Sequence, residues 1–200
     1  MRQLSPASQD LEPAHDAELL CAHAAGEPQA FTQLYDRYDR SCFLFIRRML
    51  GAANENAAED LHQETWISIS KSARAFDPSK ASFRTWLFTI ARRKVWDHFR
   101  RQRVTVLASA PVDAAMMIPD EGPTPQDQAE SRELAQRLVA AVDALPLAQR
   151  DVFVLFAHAG LSLEEISKVT GAGVETTKSR LRYARATLRL TLAAEGSTHV

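Results

Sequence analysis

The chain is poor in cysteine and has no long hydrophobic run. Its 200 residues hold two cysteines, Cys21 and Cys42, in helical, apolar contexts without the spacing of a metal site. Reduced core thiols are therefore expected, with neither a disulfide nor a zinc site. No apolar stretch approaches the length of a membrane span, and the N-terminus lacks the charged-then-apolar order of a secretory signal. A cytoplasmic protein without membrane insertion is expected. No segment alternates with the two-residue period of a strand, and no internal repeat is visible. His62, His98 and His158 have no catalytic partner at motif spacing, which argues against an enzyme, and nothing points to a cofactor or metal.

Net charge is also small, -1 at pH 7, but that total hides a strong segregation. From Arg84 to Arg103 there are seven Arg or Lys and one acid, whereas Glu55 to Glu64 carries Glu55, Glu59, Asp60 and Glu64 without a Lys or Arg. Separate basic and acidic faces imply two kinds of partner, one of them polyanionic. Hydrophobic residues make up 46% of the chain, enough for packed cores. Periodicity near 3.6 predicts helices at 16–25, 28–51, 56–75, 82–103, 129–145 and 147–158, followed by a helix-turn-helix. From 104 to 128 the pattern collapses into Pro111, Pro119, Gly122, Pro123, Pro125 and several acids, a flexible acidic linker. The fold class that follows is all-α. Two small helical domains are expected at 16–103 and 129–194, with a flexible leader at 1–15 and the linker between the domains.

The sharpest signal lies between Leu161 and Leu192. Ser162 is placed to cap a helix and Glu165 completes a capping box, with Leu163, Ile166 and Val169 as an apolar stripe. Gly171 and Gly173 break that helix. A second begins near Val174 and repeats Thr177, Leu181, Ala184 and Leu188 at the spacing of a buried seam. Its other positions carry Lys178, Arg180, Arg182, Arg185 and Arg189 against one acid, Glu175. Two short helices joined by a glycine turn let the second lie in a DNA major groove, its first turn on base edges and its basic flank on phosphate. Taken alone, the segment also reads as an ordinary helical hairpin with a solvated basic face.

In the first domain, Phe83, Trp86, Leu87, Ile90, Ala91, Val95 and Phe99 form one face of the basic helix, and Arg92, Arg93, Trp96 and Arg100 fall on the other. Guanidinium groups neutralise phosphate and an indole can stack on an unpaired base, so this face suits nucleic acid, although a tryptophan at a helix edge is more often packed. In the acidic helix, Leu61, Thr65 and Ile69 share one side while Asp60, Gln63, Glu64 and Ile67 share another. That second side is either a solvated face or, with Trp66 and Ile67 beside the acids, a docking surface for a basic partner. Between the two helices lies the loop Phe76-Asp77-Pro78-Ser79-Lys80-Ala81-Ser82, held by rigid elements as specificity loops often are.

In combination these motifs resemble the extracytoplasmic-function (ECF) sigma factors, the small two-domain members of the bacterial sigma-70 family. The resemblance runs from about Asp16 to Leu192. Gly26-Glu27-Pro28-Gln29-Ala30-Phe31 with Leu34-Tyr35 looks like the family's opening helices, and Ala58-Glu59-Asp60-Leu61-His62-Gln63-Glu64 like its polymerase-docking helix. Phe83-Arg84-Thr85-Trp86-Leu87-Phe88-Thr89-Ile90-Ala91-Arg92, with Asp97 and Arg100-Arg101, looks like its promoter-melting helix. Leu145-Pro146, Gln149-Arg150 and Lys178-Ser179-Arg180-Leu181 match its minus-35-binding domain. The resemblance implies a non-catalytic subunit that binds core RNA polymerase, directs it to a promoter and opens the duplex for transcription initiation. Asp60, Gln63 and Glu64 would dock on the polymerase. Phe76, Asp77, Pro78, Ser79 and Lys80 would hold a flipped base of the minus-10 element, with Arg92, Arg93, Trp96 and Arg100 contacting the separated strand. Glu175, Thr176, Lys178, Ser179, Arg180 and Arg182 would read the minus-35 element. Arg93 stands where the family often carries asparagine, and arginine favours phosphate or a guanine edge over the contacts of an amide. Family members are commonly held inactive by an anti-sigma factor, so such a partner is expected beside core polymerase and promoter DNA.

The rival from another class is a stand-alone helix-turn-helix transcription regulator whose first domain senses a partner or ligand. It explains 161–192 equally well, but leaves the arginine face and the acidic helix without a role.

Overall fold

The computed structural model describes residues 13–51, 54–106 and 125–196. Helices fill most of them, and no strand occurs among the described residues. In chain order they are α1 (Pro13–Ala25), α2 (Pro28–Leu50), α3 (Glu55–Ser72), a single 3-10 turn at Ala73–Ala75, α4 (Phe83–Val106), α5 (Pro125–Asp143), α6 (Leu147–Ala157), α7 (Leu163–Thr170) and α8 (Val174–Gly196). Every helix expected from periodicity is present. The linker's edges differ, because α4 runs on to Val106 and α5 starts at Pro125. Proline read as a breaker is also a good first helical residue, since its missing N–H has no partner to lose there. The leader to residue 12 and the linker from 107 to 124 lie outside the described residues.

α1 to α4 pack on one another around Leu20, Leu34, Phe45, Ile46, Met49, Ile69, Phe83, Leu87 and Phe88, all fully buried. Phe88 lies off the expected apolar stripe of α4, yet meets Phe45 edge to face at 5.5 Å. α4 is covered on more than one side, by α2 and α3 and also by α7, so a single stripe underestimates its core. Truncating Phe88 to Ala would cost about 3–5 kcal/mol. Asp16 in α1 is buried and accepts hydrogen bonds from Arg37 and Tyr38 of α2, which fixes α1 in place. Cys42 is a buried core thiol as expected, and burial pushes its pKa up. Cys21 is not in the core. The buried line of α1 passes through Asp16, Leu19 and Leu20, and the helical rotation leaves Cys21 exposed.

The second half is organised by its turns. The Ser162 hydroxyl accepts from the Glu165 N–H at 3.2 Å, and Glu165 Oε2 accepts from the Ser162 N–H at 2.9 Å, the expected capping box. Such a cap contributes about 1 kcal/mol. Gly171 ends α7 in the left-handed region at φ 72°, where a side chain would be strained. α8 then buries Thr177, Leu181, Ala184 and Leu188, the whole predicted seam, against α6 and α7. The two halves lie against each other, α7 on α4 and α6 with α5 on the end of α2. There Arg150 of α6 donates to the carbonyls of Met49 (3.2 Å) and Asp143.

Burial pushes the pKa values of His62, His98 and His158 down, and at His62 it outweighs the opposing pull of Asp39. His62 Nε2 lies 2.9 Å from Asp39 Oδ1 and 3.0 Å from the Trp66 indole nitrogen. In the unfolded chain these rings titrate near 6.5, so on acidification the unfolded state takes up protons first. Stability present at neutral pH is therefore lost progressively below about pH 6.5. The thermal unfolding midpoint is expected to be lower at about pH 5.5 than at about pH 7.5, with a shallower slope in His158→Gln. A midpoint that is level or rises on acidification contradicts this.

Candidate nucleic-acid interface

α8 opens with Glu175, Thr176, Lys178 and Arg182 exposed, the arrangement needed for a helix that enters a groove end first. Lys178 lies 3.8 Å from Glu175, a loose pair that leaves both solvated. Ser179 and Arg180, expected beside them on the open face, are half-buried instead. Farther along, Arg182 stacks on Tyr183 at 5.2 Å and Arg185 on Phe156 at 4.6 Å, so part of the basic flank is held by its own aromatic neighbours.

The loop between α3 and α4 is braced internally. Asp77 Oδ1 accepts from the Ser79 N–H at 3.0 Å and from the Ser79 hydroxyl at 2.7 Å, while Lys80 Nζ lies 3.1 Å from Oδ2. The Ser79 hydroxyl, followed by Lys80, holds the Asp77 carboxyl below the ordinary carboxylate range. Phe76 is half-buried against Trp86 and Phe83, with ring centroids 5.2 and 6.4 Å away, while Pro78, Ser79 and Lys80 stand exposed. The loop is thus a preformed surface, anchored by one aromatic.

On α4, Arg93 and Arg100 are exposed, and Arg100 pairs with Asp97 one turn back. Arg92 departs from its expected role on a solvated face. It stacks on Trp96 at 5.2 Å, and its Nε donates at 2.8 Å to Oδ2 of Asp151 in α6. Trp96 is half-buried, so it is both packed and partly reachable. Burial pushes the Asp151 carboxyl up, while Arg92, the Trp96 indole and Arg180 pull it down. Of the residues singled out for DNA, Arg92 therefore meets a carboxylate that is 2% exposed. Asp151 was not among the expected site residues. Its only sequence cue is an acid on the apolar face of α6, between Leu147 and Val154.

On α3, Glu59, Asp60, Gln63 and Glu64 are exposed beside Ile67, which is 52% exposed, while Leu61, Thr65 and Ile69 are buried. The expected division of faces holds, with two differences. Glu64 pairs with Lys94 of α4 at 3.2 Å, which joins the acidic and basic helices. Trp66 does not flank the acids. It is 4% exposed and packs between Phe31 and Tyr35 at 5.7 and 4.9 Å. Among the described residues no cluster of His, Cys, Asp and Glu could hold a metal ion, and no helix is long and apolar enough to cross a membrane.

Comparison with known proteins meets this geometry segment by segment. Residues 34–105 match the family described as Sigma-70 region 2, and residues 135–188 match Sigma-70, region 4. The ECF RNA polymerase sigma factor RpoE of Cereibacter sphaeroides is 32% identical over 160 residues, covering 80% of this chain and 84% of that protein. The ECF sigma factor SigE of Mycolicibacterium smegmatis is 34% identical over 146 residues, covering 73% of this chain and 56% of SigE. Among solved structures, CnrH in complex with the cytosolic domain of CnrY gives a TM-score of 0.66 at 28% identity, over 90% of this chain and 98% of the matched one. The sigma factor RpoE of Bartonella quintana, in complex with the anti-sigma factor NepR, shares the fold with a TM-score of 0.68 at 23% identity, over 82% of this chain and 96% of the matched one. The first match occupies the place where the rival reading needed a sensing domain. The chain belongs to the ECF sigma factors of the sigma-70 family, and it directs promoter recognition by RNA polymerase.

Proposed function

We propose that the protein divides this work among the three faces described. Asp60, Gln63 and Glu64 on α3 dock on core RNA polymerase, with Ile67 adding apolar contact beside them. Phe76, Asp77, Pro78, Ser79 and Lys80 hold a flipped base of the minus-10 element, and Arg92, Arg93, Trp96 and Arg100 on α4 contact the separated strand. Glu175, Thr176, Lys178, Ser179, Arg180 and Arg182 at the start of α8 read the minus-35 element. The chain supplies specificity and the polymerase supplies catalysis. It acts in the cytoplasm, where both partners are found. An anti-sigma factor is a further partner in this reading, since the related CnrH is seen with the cytosolic domain of CnrY. The observation that carries the proposal is the order of faces along the chain. The acidic helix, the loop and the arginine helix fall within the region 2 match, and the basic recognition helix within the region 4 match. Transcription by core polymerase plus this protein on a randomised promoter library tests it: enrichment of a two-part promoter supports it, and binding to duplex DNA without core speaks for the rival.

Two sets of substitutions test the division more closely. Exposed charge changes cost little stability, so Asp60→Lys with Glu64→Lys is expected to weaken core binding while leaving helical content unchanged. Unaltered affinity in a direct binding assay removes α3 from the docking role. In the recognition helix, Arg180→Ala is expected to lose about 1–3 kcal/mol at one base position, whereas Lys178→Ala or Arg182→Ala weakens binding evenly across sequences. A panel of single-base promoter variants separates the two patterns, and a uniform loss for Arg180→Ala makes it a phosphate contact.

A further inference from the structure

We infer that His62 of α3 makes docking on core RNA polymerase depend on pH, because one ring nitrogen serves either of two neighbours according to whether it carries a proton. The inference rests on the docking role proposed for α3 and adds a regulation to it. His62 Nε2 lies 3.0 Å from the indole nitrogen of Trp66, one turn along its own helix, and 2.9 Å from Oδ1 of Asp39 on α2. An indole N–H only donates and a carboxylate only accepts, so a single nitrogen satisfies one of them at a time. With its lone pair free, Nε2 accepts from Trp66. Carrying a proton, it donates to Asp39, and the indole N–H loses its acceptor. Asp39 Oδ1 is shielded from water and, apart from that ring nitrogen, meets no donor among the described residues. A buried acceptor in that position favours the protonated ring.

The exchange sits at the border of the acidic face. His62 falls between buried Leu61 and exposed Gln63, with Glu59 exposed one turn back. The Asp39 side chain is 36% exposed against 11% for His62, so the carboxylate reaches solvent while the ring does not. From α2 the ring is faced by Asp39 and by Tyr35, whose hydroxyl bonds to Asp39, with the Cys42 thiol behind them; both the phenol and the thiol are pushed up and stay protonated near neutrality. From α4, Lys94 pairs with Glu64 on the opposite side of α3. Histidine is the side chain that ordinarily changes charge between pH 5 and 8. Burial pushes His62 down, while the Asp39 charge and hydrogen bonds to the Asp39 backbone and side chain pull it back. A neutral ring leaves Asp39 to add its charge to the acids of α3, and an imidazolium cancels it. A face that binds a basic partner is weakened by that loss, and the partner's positive surface in turn drives the proton off. The free protein therefore holds more protons than the complex, and affinity for core falls on acidification.

The test uses the full-length chain and intact core polymerase. Core affinity is measured from about pH 5.5 to about pH 7.5 for the wild type, His62→Gln and Asp39→Asn, with circular dichroism establishing that each is folded throughout. The indole N–H resonances of the free protein are followed over the same range by NMR, and Trp66→Phe identifies that of Trp66 among the three tryptophans. On acidification the wild type is expected to lose about threefold more affinity than His62→Gln, a difference from which the titration of core itself cancels. Asp39→Asn removes the pull that lets the ring protonate, so its pH dependence should match that of His62→Gln. The Trp66 indole resonance is expected to move with a midpoint below that of a free histidine, and to lose this titration in Asp39→Asn. The same pH dependence in the wild type and both variants overturns the inference. So does a Trp66 resonance that ignores pH, because the ring then serves Asp39 in both states. The docking reading fails on a different result, core affinity unaltered by Asp60→Lys with Glu64→Lys at neutral pH.

Discussion

A carboxylate withdrawn from water needs a cation in contact with it, and for Asp151 that cation is Arg92. The two belong to different halves of the molecule, so their pairing also decides where α6 sits against α4. Once Arg92 is held there its guanidinium lies over the Trp96 ring at 5.2 Å, and its Nη1 reaches the last turn of α7 at Val169. The position of the recognition helix follows, because α8 is packed on α6 and α7 through Thr177, Leu181, Ala184 and Leu188. α4 is then buried on several sides at once, which is why its core includes Phe88 as well as the stripe through Leu87, Ala91 and Val95.

A second carboxylate ties local and global structure together. Glu165 closes the capping box of α7 through Ser162 and, with its other oxygen, accepts from Thr85 in the first turn of α4. Burial pushes its carboxyl up, but the Ser162 N–H and the Thr85 hydroxyl outweigh that and hold it below its ordinary value. Ser82, at the end of the loop between α3 and α4, bonds to Thr85 at 2.9 Å and to the same Glu165 oxygen. The end of that loop and the start of the helix-turn-helix are therefore fixed by one side chain. A change that disturbs the cap propagates to the loop without any change in the loop's own residues.

The fold was legible in the sequence because each helix carries its own periodic signature. The seam of α8, the capping box at Ser162 and Glu165, and the buried side of α3 through Leu61, Thr65 and Ile69 are local patterns, and the structure repeats them. What was not legible is pairing across large sequence distance. Periodicity places Arg92 opposite the apolar stripe but does not reveal Asp151, 59 residues away. It places Glu64 on an acidic face but does not reveal Lys94, and it sets Trp66 beside the acids although Phe31 and Tyr35 enclose it. Cys21 was misplaced for the opposite reason: an apolar neighbourhood in sequence is not a buried face when the helix turns the residue outward.

The distribution of charge between covered and open positions bears on how a closed sigma factor would meet DNA. Arg93 and Arg100 on α4, and Lys178 and Arg182 on α8, stay exposed with the halves together, whereas Arg92, Trp96, Ser179 and Arg180 are half-buried. Attraction to the phosphate backbone acts over a Debye length and needs only exposed charge, so the closed form retains it. Base reading and strand capture need contact at hydrogen-bond distance, and of the residues proposed for them Arg93, Arg100, Lys178 and Arg182 are open while Arg92, Trp96, Ser179 and Arg180 are half-covered. α3 carries the exposed acids Asp60 and Glu59 and makes its packing contacts with α2 and α4. A partner that docks on the acids of α3 would therefore not need the two halves to part first.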